Sequence, residues 1–163
     1  MATGERITVT YAKTPSGPLK LDLYAYVPKL DLADPSPTFS DDLRLPFFLY
    51  LHAGHFFTGS RRDLPPWLAS LARSMGMPLV CADYRLAPHV GPSDAYRDLE
   101  ACWSFIVDEL NWVVAAAGNG AEVQSGTKML EDDFEELQRR GGLDPQRCVL
   151  VGLGAGGYLA ARG

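Results

Sequence analysis

Three short runs constrain this chain more than anything else in it. PFFLYLH (46–52), MPLVCAD (77–83) and RCVLV (147–151) are apolar at nearly every position. A strand with one wet face alternates apolar and polar residues, whereas a strand buried on both faces reads as a continuous apolar run. The segments between and after these runs have helical spacing: 63–75, 93–116, 127–140 and 155–162. Strand and helix in alternation predict an α/β fold with parallel strands and crossover helices on both faces. Ahead of them, ERITVTYA (5–12) and LKLDLYAYV (19–27) alternate with period two and flank the turn sequence TPSGP, which predicts an antiparallel hairpin. The Pro-, Asp- and Ser-rich stretch 28–45 reads as a surface loop.

Local signals set the helix ends. Pro65 or Pro66 suits the first turn of the 63–75 helix, Ser93 or Asp94 suits the N-cap of the next, and Gly141-Gly142 closes the acidic one at 127–140. VVAAAGNGAEVQSG (113–126) reads as a loop insertion. A length of 163 residues fits one domain over 1–163. A net charge of −5 offers no basic footprint, so no nucleic-acid partner is expected. No apolar run approaches a membrane span and MATGERITVT has no signal-like core, which places the expected location in the cytoplasm. Cys81, Cys102 and Cys148 lack C-x-x-C spacing and sit among apolar residues, so buried free thiols are expected and neither a metal site nor a disulfide framework.

In open parallel sheets, sites form beyond the carboxyl ends of the strands. The three runs lead there into HAGH (52–55), DYRLAPH (83–89) and GLGAGG (152–157). The last admits two readings. Gly152, Gly154 and Gly157 satisfy the dinucleotide spacing G-x-G-x-x-G. That fingerprint opens a βαβ unit with an acidic residue about 20 positions on, and no acidic residue follows Gly157. The second reading is a nucleophile elbow, a sharp strand-to-helix turn with glycines two positions either side of its apex.

Taken in order, HAGH, DYRLAPH and GLGAGG resemble the HGGG, DYRLAPE and GDSAGG segments of the alpha/beta-hydrolase fold-3 family, the hormone-sensitive-lipase-like carboxylesterases. LDPQR before the last strand and Asp98 in the helix after DYRLAP add to the resemblance, which spans roughly 5–163. It implies the N-terminal part of an alpha/beta-hydrolase fold and a family activity of carboxylic ester hydrolysis without a cofactor. It assigns the oxyanion hole to Gly54, His55 and Ala155, loop ordering to His52, and supporting positions to Asp83, Tyr84, Arg85, Pro88 and Asp98. It also places Gly154 where the nucleophilic serine belongs and Leu153 where the family commonly has Asp.

In this fold the acid and the histidine follow the nucleophile. His52, His55 and His89 all precede Gly154, and the nine residues after it hold no His, Asp or Glu. The expectation is therefore a truncated and catalytically impaired member of the family. Ser60 and Ser93 read as turn or cap residues, and a base at His55 would lack a nucleophile to activate. Non-catalytic alternatives remain: ligand binding in the pocket, as the plant gibberellin receptors of this group use it, with a small acyl ester or apolar ligand as the partner the resemblance implies, or self-association. The elbow strand would form a sheet edge here, and an exposed apolar edge invites pairing.

Overall fold

A computed structural model describes residues 6–27, 44–118 and 131–162. Among the described residues five strands form one sheet in the order β1-β2-β4-β3-β5. They are β1 (Arg6–Thr14), β2 (Gly17–Tyr24), β3 (Leu45–Leu51), β4 (Leu79–Ala82) and β5 (Leu143–Gly152). β1 and β2 make the expected antiparallel hairpin, β2 joins β4 antiparallel, and β4, β3 and β5 run parallel. The alpha/beta-hydrolase architecture read from the sequence is the one observed. β5 bounds the sheet of described residues, and Val149 on it is 46% exposed.

The continuous apolar runs have a simple cause. Side chains alternate along a strand, and β3 sends Phe47, Leu49 and Leu51 into one core and Phe48 and Tyr50 into another. Helix α1 (Pro66–Met75) covers the second face through Leu68 and Ala72. The first face is covered by α2 (Pro92–Phe105), a π-helical turn (Ile106–Leu110), α3 (Asn111–Gly118) and α4 (Glu131–Arg139), through Leu99, Cys102, Ile106, Leu110, Val114, Phe134 and Leu137.

The helix ends follow backbone chemistry. Pro66 opens α1, and Gly76 closes it at φ 61°, with Met77 N–H donating to the Ala72 carbonyl at 2.9 Å. α2 starts earlier than the Ser93 or Asp94 cap would place it. Gly91 is its N-cap, Pro92 takes the first helical position, and the Asp94 carboxylate accepts the Gly91 N–H at 3.3 Å. The expected loop at 113–126 is corrected as far as 118: α3 is helical there, because Val114 is buried and the Val114 carbonyl accepts from Gln138 Nε2 at 2.7 Å. Residues 119–126 lie outside the described residues. α3 is tied to β5 as well: the Asn111 side chain accepts from Leu143 N–H at 2.8 Å and donates to the Leu143 carbonyl at 2.9 Å. Of the three cysteines, Cys81 and Cys102 are buried, while Cys148 is half-buried on β5.

Candidate functional site

The carboxyl ends of β3, β4 and β5 bring their three corners together. After β3 the chain turns back through His52–Ser60, with Phe57 and Thr58 N–H both donating to the Gly54 carbonyl at 2.9 and 3.1 Å. Gly54 holds φ 131°, and a Cβ there would sit 1.9 Å from the Thr58 carbonyl oxygen, so the turn accepts only glycine. After β4, the Tyr84 hydroxyl donates to the His52 carbonyl at 2.7 Å, and its ring stacks on the His52 imidazole at 4.2 Å. Ala87 N–H donates to the Phe56 carbonyl at 2.7 Å, and the Ala87–Pro88 bond is cis.

After β5 the chain bends sharply into α5 (Ala155–Ala160). Gly154 stands at the bend with φ 55° and ψ −115°. The two outer glycines are packing positions. A Cβ on Gly152 would meet the Gly156 carbonyl oxygen at 2.2 Å, and one on Gly156 would meet the Leu51 carbonyl oxygen at 2.2 Å. The apex differs, because a Cβ on Gly154 would find only Ala53, with its Cβ at 3.6 Å. The backbone therefore makes a sharp strand-to-helix bend, and a side chain at its apex would meet only ordinary contacts with Ala53.

The candidate residues fall into place as follows. His52 is buried, and its Nδ1–H donates to the Ala53 carbonyl at 2.7 Å. His55 and Phe56 occupy the left-handed region at φ 55° and 66°. Ala155 is buried at the start of α5. Asp83 pairs with Arg61, and Asp98 receives Arg85 through Nε and Nη2 as well as through the Arg85 backbone N–H. Pro88 and His89 are exposed. Phe56 lies edge-on to both Tyr84 and Tyr158, at 6.2 and 5.9 Å, joining all three corners.

No substitute nucleophile stands out among the thiols. Burial pushes the Cys81 and Cys102 thiols far up and that of Cys148 up to about 12, so each stays protonated at neutral pH. Among the described residues no cluster of three or more His, Cys, Asp or Glu side chains is placed to hold a metal, and no helix is long and apolar enough to cross a membrane.

Sequence reasoning missed two participants. Arg61 reaches from the loop after β3 to Asp22 on β2 and to Asp83 after β4. Asp22 is fully buried and also accepts from Thr8 Oγ1 at 2.6 Å. The available signal was weak, because Asp22 falls on the polar phase of an alternating strand, two positions after Lys20.

The left-handed residues allow a direct test. A non-glycine residue in this region costs roughly 1–2 kcal/mol, offset in part by the chain entropy that glycine loses on folding. The exposed His55 has little packing to lose. His55→Gly is expected to stabilise the protein by about 0.5–1 kcal/mol. Phe56→Gly is expected to destabilise it through loss of the Tyr84 and Tyr158 contacts. Urea unfolding midpoints of the two variants check the opposite signs.

This arrangement of corners has clear relatives. Residues 48–162 match the family described as alpha/beta hydrolase fold. The chain belongs to that family. Its backbone superposes on a thermophilic esterase, Est2, of the planctomycete Thermogutta terrifontis, with a TM-score of 0.58 and 23% identity over 96% of this chain and 43% of that one. A bacterial heroin esterase matches with a TM-score of 0.55 and 24% identity, over 96% of this chain and 37% of that one. In sequence, the chain is 30% identical over 118 residues to the non-reducing polyketide synthase stbA of Stachybotrys bisbyi, covering 71% of this chain and 4% of the synthase. It thus spans less than half the length of these esterases and a small part of the synthase.

Proposed function

We propose that this alpha/beta-hydrolase chain receives short-chain acyl esters at the rim of β3, β4 and β5 without cleaving them. The single observation that carries the reading is Gly154 at the apex of an otherwise intact elbow. In serine esterases the apex hydroxyl attacks the ester carbonyl, a histidine takes its proton, and backbone N–H groups stabilise the resulting oxyanion. The proposed donors here are the backbone N–H groups of Gly54, His55 and Ala155. His52, wedged between Tyr84 and its own loop, orders that loop and is not the base. The apex hydroxyl is missing, and that part of the reading does not depend on chain length, because position 154 is glycine in any longer product.

The substrate class is supported by Est2, which has been crystallised with butyrate and with propionate bound. The same acyl size is proposed for the rim of this chain by its likeness to that fold. Loss of a nucleophile in a serine hydrolase lowers kcat by roughly 10⁶-fold. With p-nitrophenyl butyrate, nitrophenol release is therefore expected to match a blank containing heat-denatured protein. Saturable turnover above that blank would contradict the proposal.

A further inference from the structure

We propose that Arg61 is a positioning residue, clamping the Gly54–Gly59 turn to the sheet through the two carboxylates of Asp22 and Asp83. The geometry is that of one guanidinium shared by two strands. Arg61 Nε donates to Asp22 Oδ1 at 2.8 Å, and Nη1 donates to Asp83 Oδ2 at 2.5 Å. The Arg61 backbone N–H donates to Asp83 Oδ1 at 2.8 Å, so the main chain of the loop is itself held. Asp83 is fixed in turn, its N–H donating to the Lys20 carbonyl and its own carbonyl accepting from the Tyr11 hydroxyl. Asp22 is fixed by Thr8, with Arg6 Nε 3.6 Å from its other oxygen.

The loop needs such a clamp. It carries two consecutive non-glycine residues in the left-handed region, a conformation that persists only when the surroundings over-determine it. Its other restraints are Tyr84 on His52 and Ala87 on Phe56 upstream of Arg61, and the Tyr50 hydroxyl of β3 on the Asp63 carbonyl beyond it. Arg61 closes the downstream end, directly after Gly59 packs on the His52 ring and Ser60 N–H bonds the Asp63 carboxylate. A planar guanidinium with donors on two sides suits this bridge, whereas a lysine offers one charged point. The hairpin thereby becomes part of the site, through an aspartate 39 positions upstream of the arginine it binds.

The positioning of the loop stands on geometry, and its service to an ester rests on the function proposed above. Amide hydrogen exchange followed by NMR tests the clamp in the ligand-free chain. In Arg61→Met, the Phe57 and Thr58 amides, whose bonds close the turn, are expected to exchange at least 10-fold faster, while amides of β3 and α2 follow only the change in global stability. Arg61→Lys is expected to fall between Met and wild type. Asp22→Asn keeps the shape and removes the charge, so it gives the same local pattern if Arg61→Met does not fold. Loop exchange unchanged from wild type, or faster exchange by one common factor at every amide, would overturn the clamp. Titration with sodium butyrate tests the functional reading separately: loop amide shifts in the wild type that weaken in Arg61→Met are expected. An absence of butyrate shifts in the wild type would overturn the ester-binding role and leave the exchange result to decide the clamp.

Discussion

Gly156→Ala is expected to destabilise the protein by about 3 kcal/mol or more, while Gly154→Ala or Gly154→Ser costs only about 1–2 kcal/mol. The difference lies in what a new Cβ would touch. At Gly156 it would lie 2.2 Å from the Leu51 carbonyl oxygen and 2.6 Å from that of His52. Both are main-chain atoms at the end of β3, so relief requires moving α5 away from the sheet. At Gly154 the nearest atom is the Ala53 Cβ at 3.6 Å, an ordinary contact, and the remaining cost is the φ of 55°. Gly152→Ala should behave like Gly156→Ala, because its Cβ would meet the Gly156 carbonyl oxygen at 2.2 Å. Urea unfolding of the three alanine variants provides the measurement. Equal costs at 152, 154 and 156 would mean that the corner is a generic glycine-rich turn and not an elbow with an open apex.

The second large effect concerns Arg85 and Asp98. Asp98 is 4% exposed, and three contacts from the Arg85 guanidinium, at 2.7–3.0 Å, compensate its carboxylate. This pairing, the main contribution, raises the Arg85 pKa above its ordinary value. Removing one partner of a buried pair strands the other, at a cost of roughly 3–5 kcal/mol. Arg85 retains 21% side-chain exposure, so water can reach part of the gap and the low end of that range is expected. Arg85→Met should therefore lose about 3 kcal/mol. The double variant Arg85→Met/Asp98→Leu should recover much of it, because no unpaired carboxylate remains. A double variant as unstable as the single one would show that the Arg85 side chain acts through packing instead.

The sequence made the sheet legible because burial on both faces leaves a pattern no local structure can disguise. β3 is the clearest case: Phe47, Phe48, Leu49 and Tyr50 are consecutive in the chain yet belong alternately to two cores. The corners were legible for a related reason. Gly54, Gly152 and Gly156 are dictated by backbone atoms within a few ångströms, so a resemblance in these motifs carries geometry with it. What stayed hidden depends on distant partners. Asp22 sits at a position in β2 that local alternation assigns to a polar face, but β1, β4 and the Arg61 loop bury it. Residues 113–116 fit both the helical spacing of 93–116 and the loop read at 113–126, and their helix is secured by Val114 and by Gln138 from α4, which no nearby residue announces. Tyr11 is a third instance. The strand register shifts between Thr10 and Ala12, and its hydroxyl reaches the Asp83 carbonyl across the sheet.

The corner after β5 keeps its sharp bend, and Gly154 at its apex has no side chain to attack an ester. Intact-mass spectrometry after incubation with a p-nitrophenyl alkylphosphonate tests it most directly, since such reagents leave a phosphonyl group on an activated serine. The expected spectrum shows the unmodified mass of the chain. Stoichiometric addition of one phosphonyl group, mapped to a residue at the rim of β3, β4 and β5, would contradict the account.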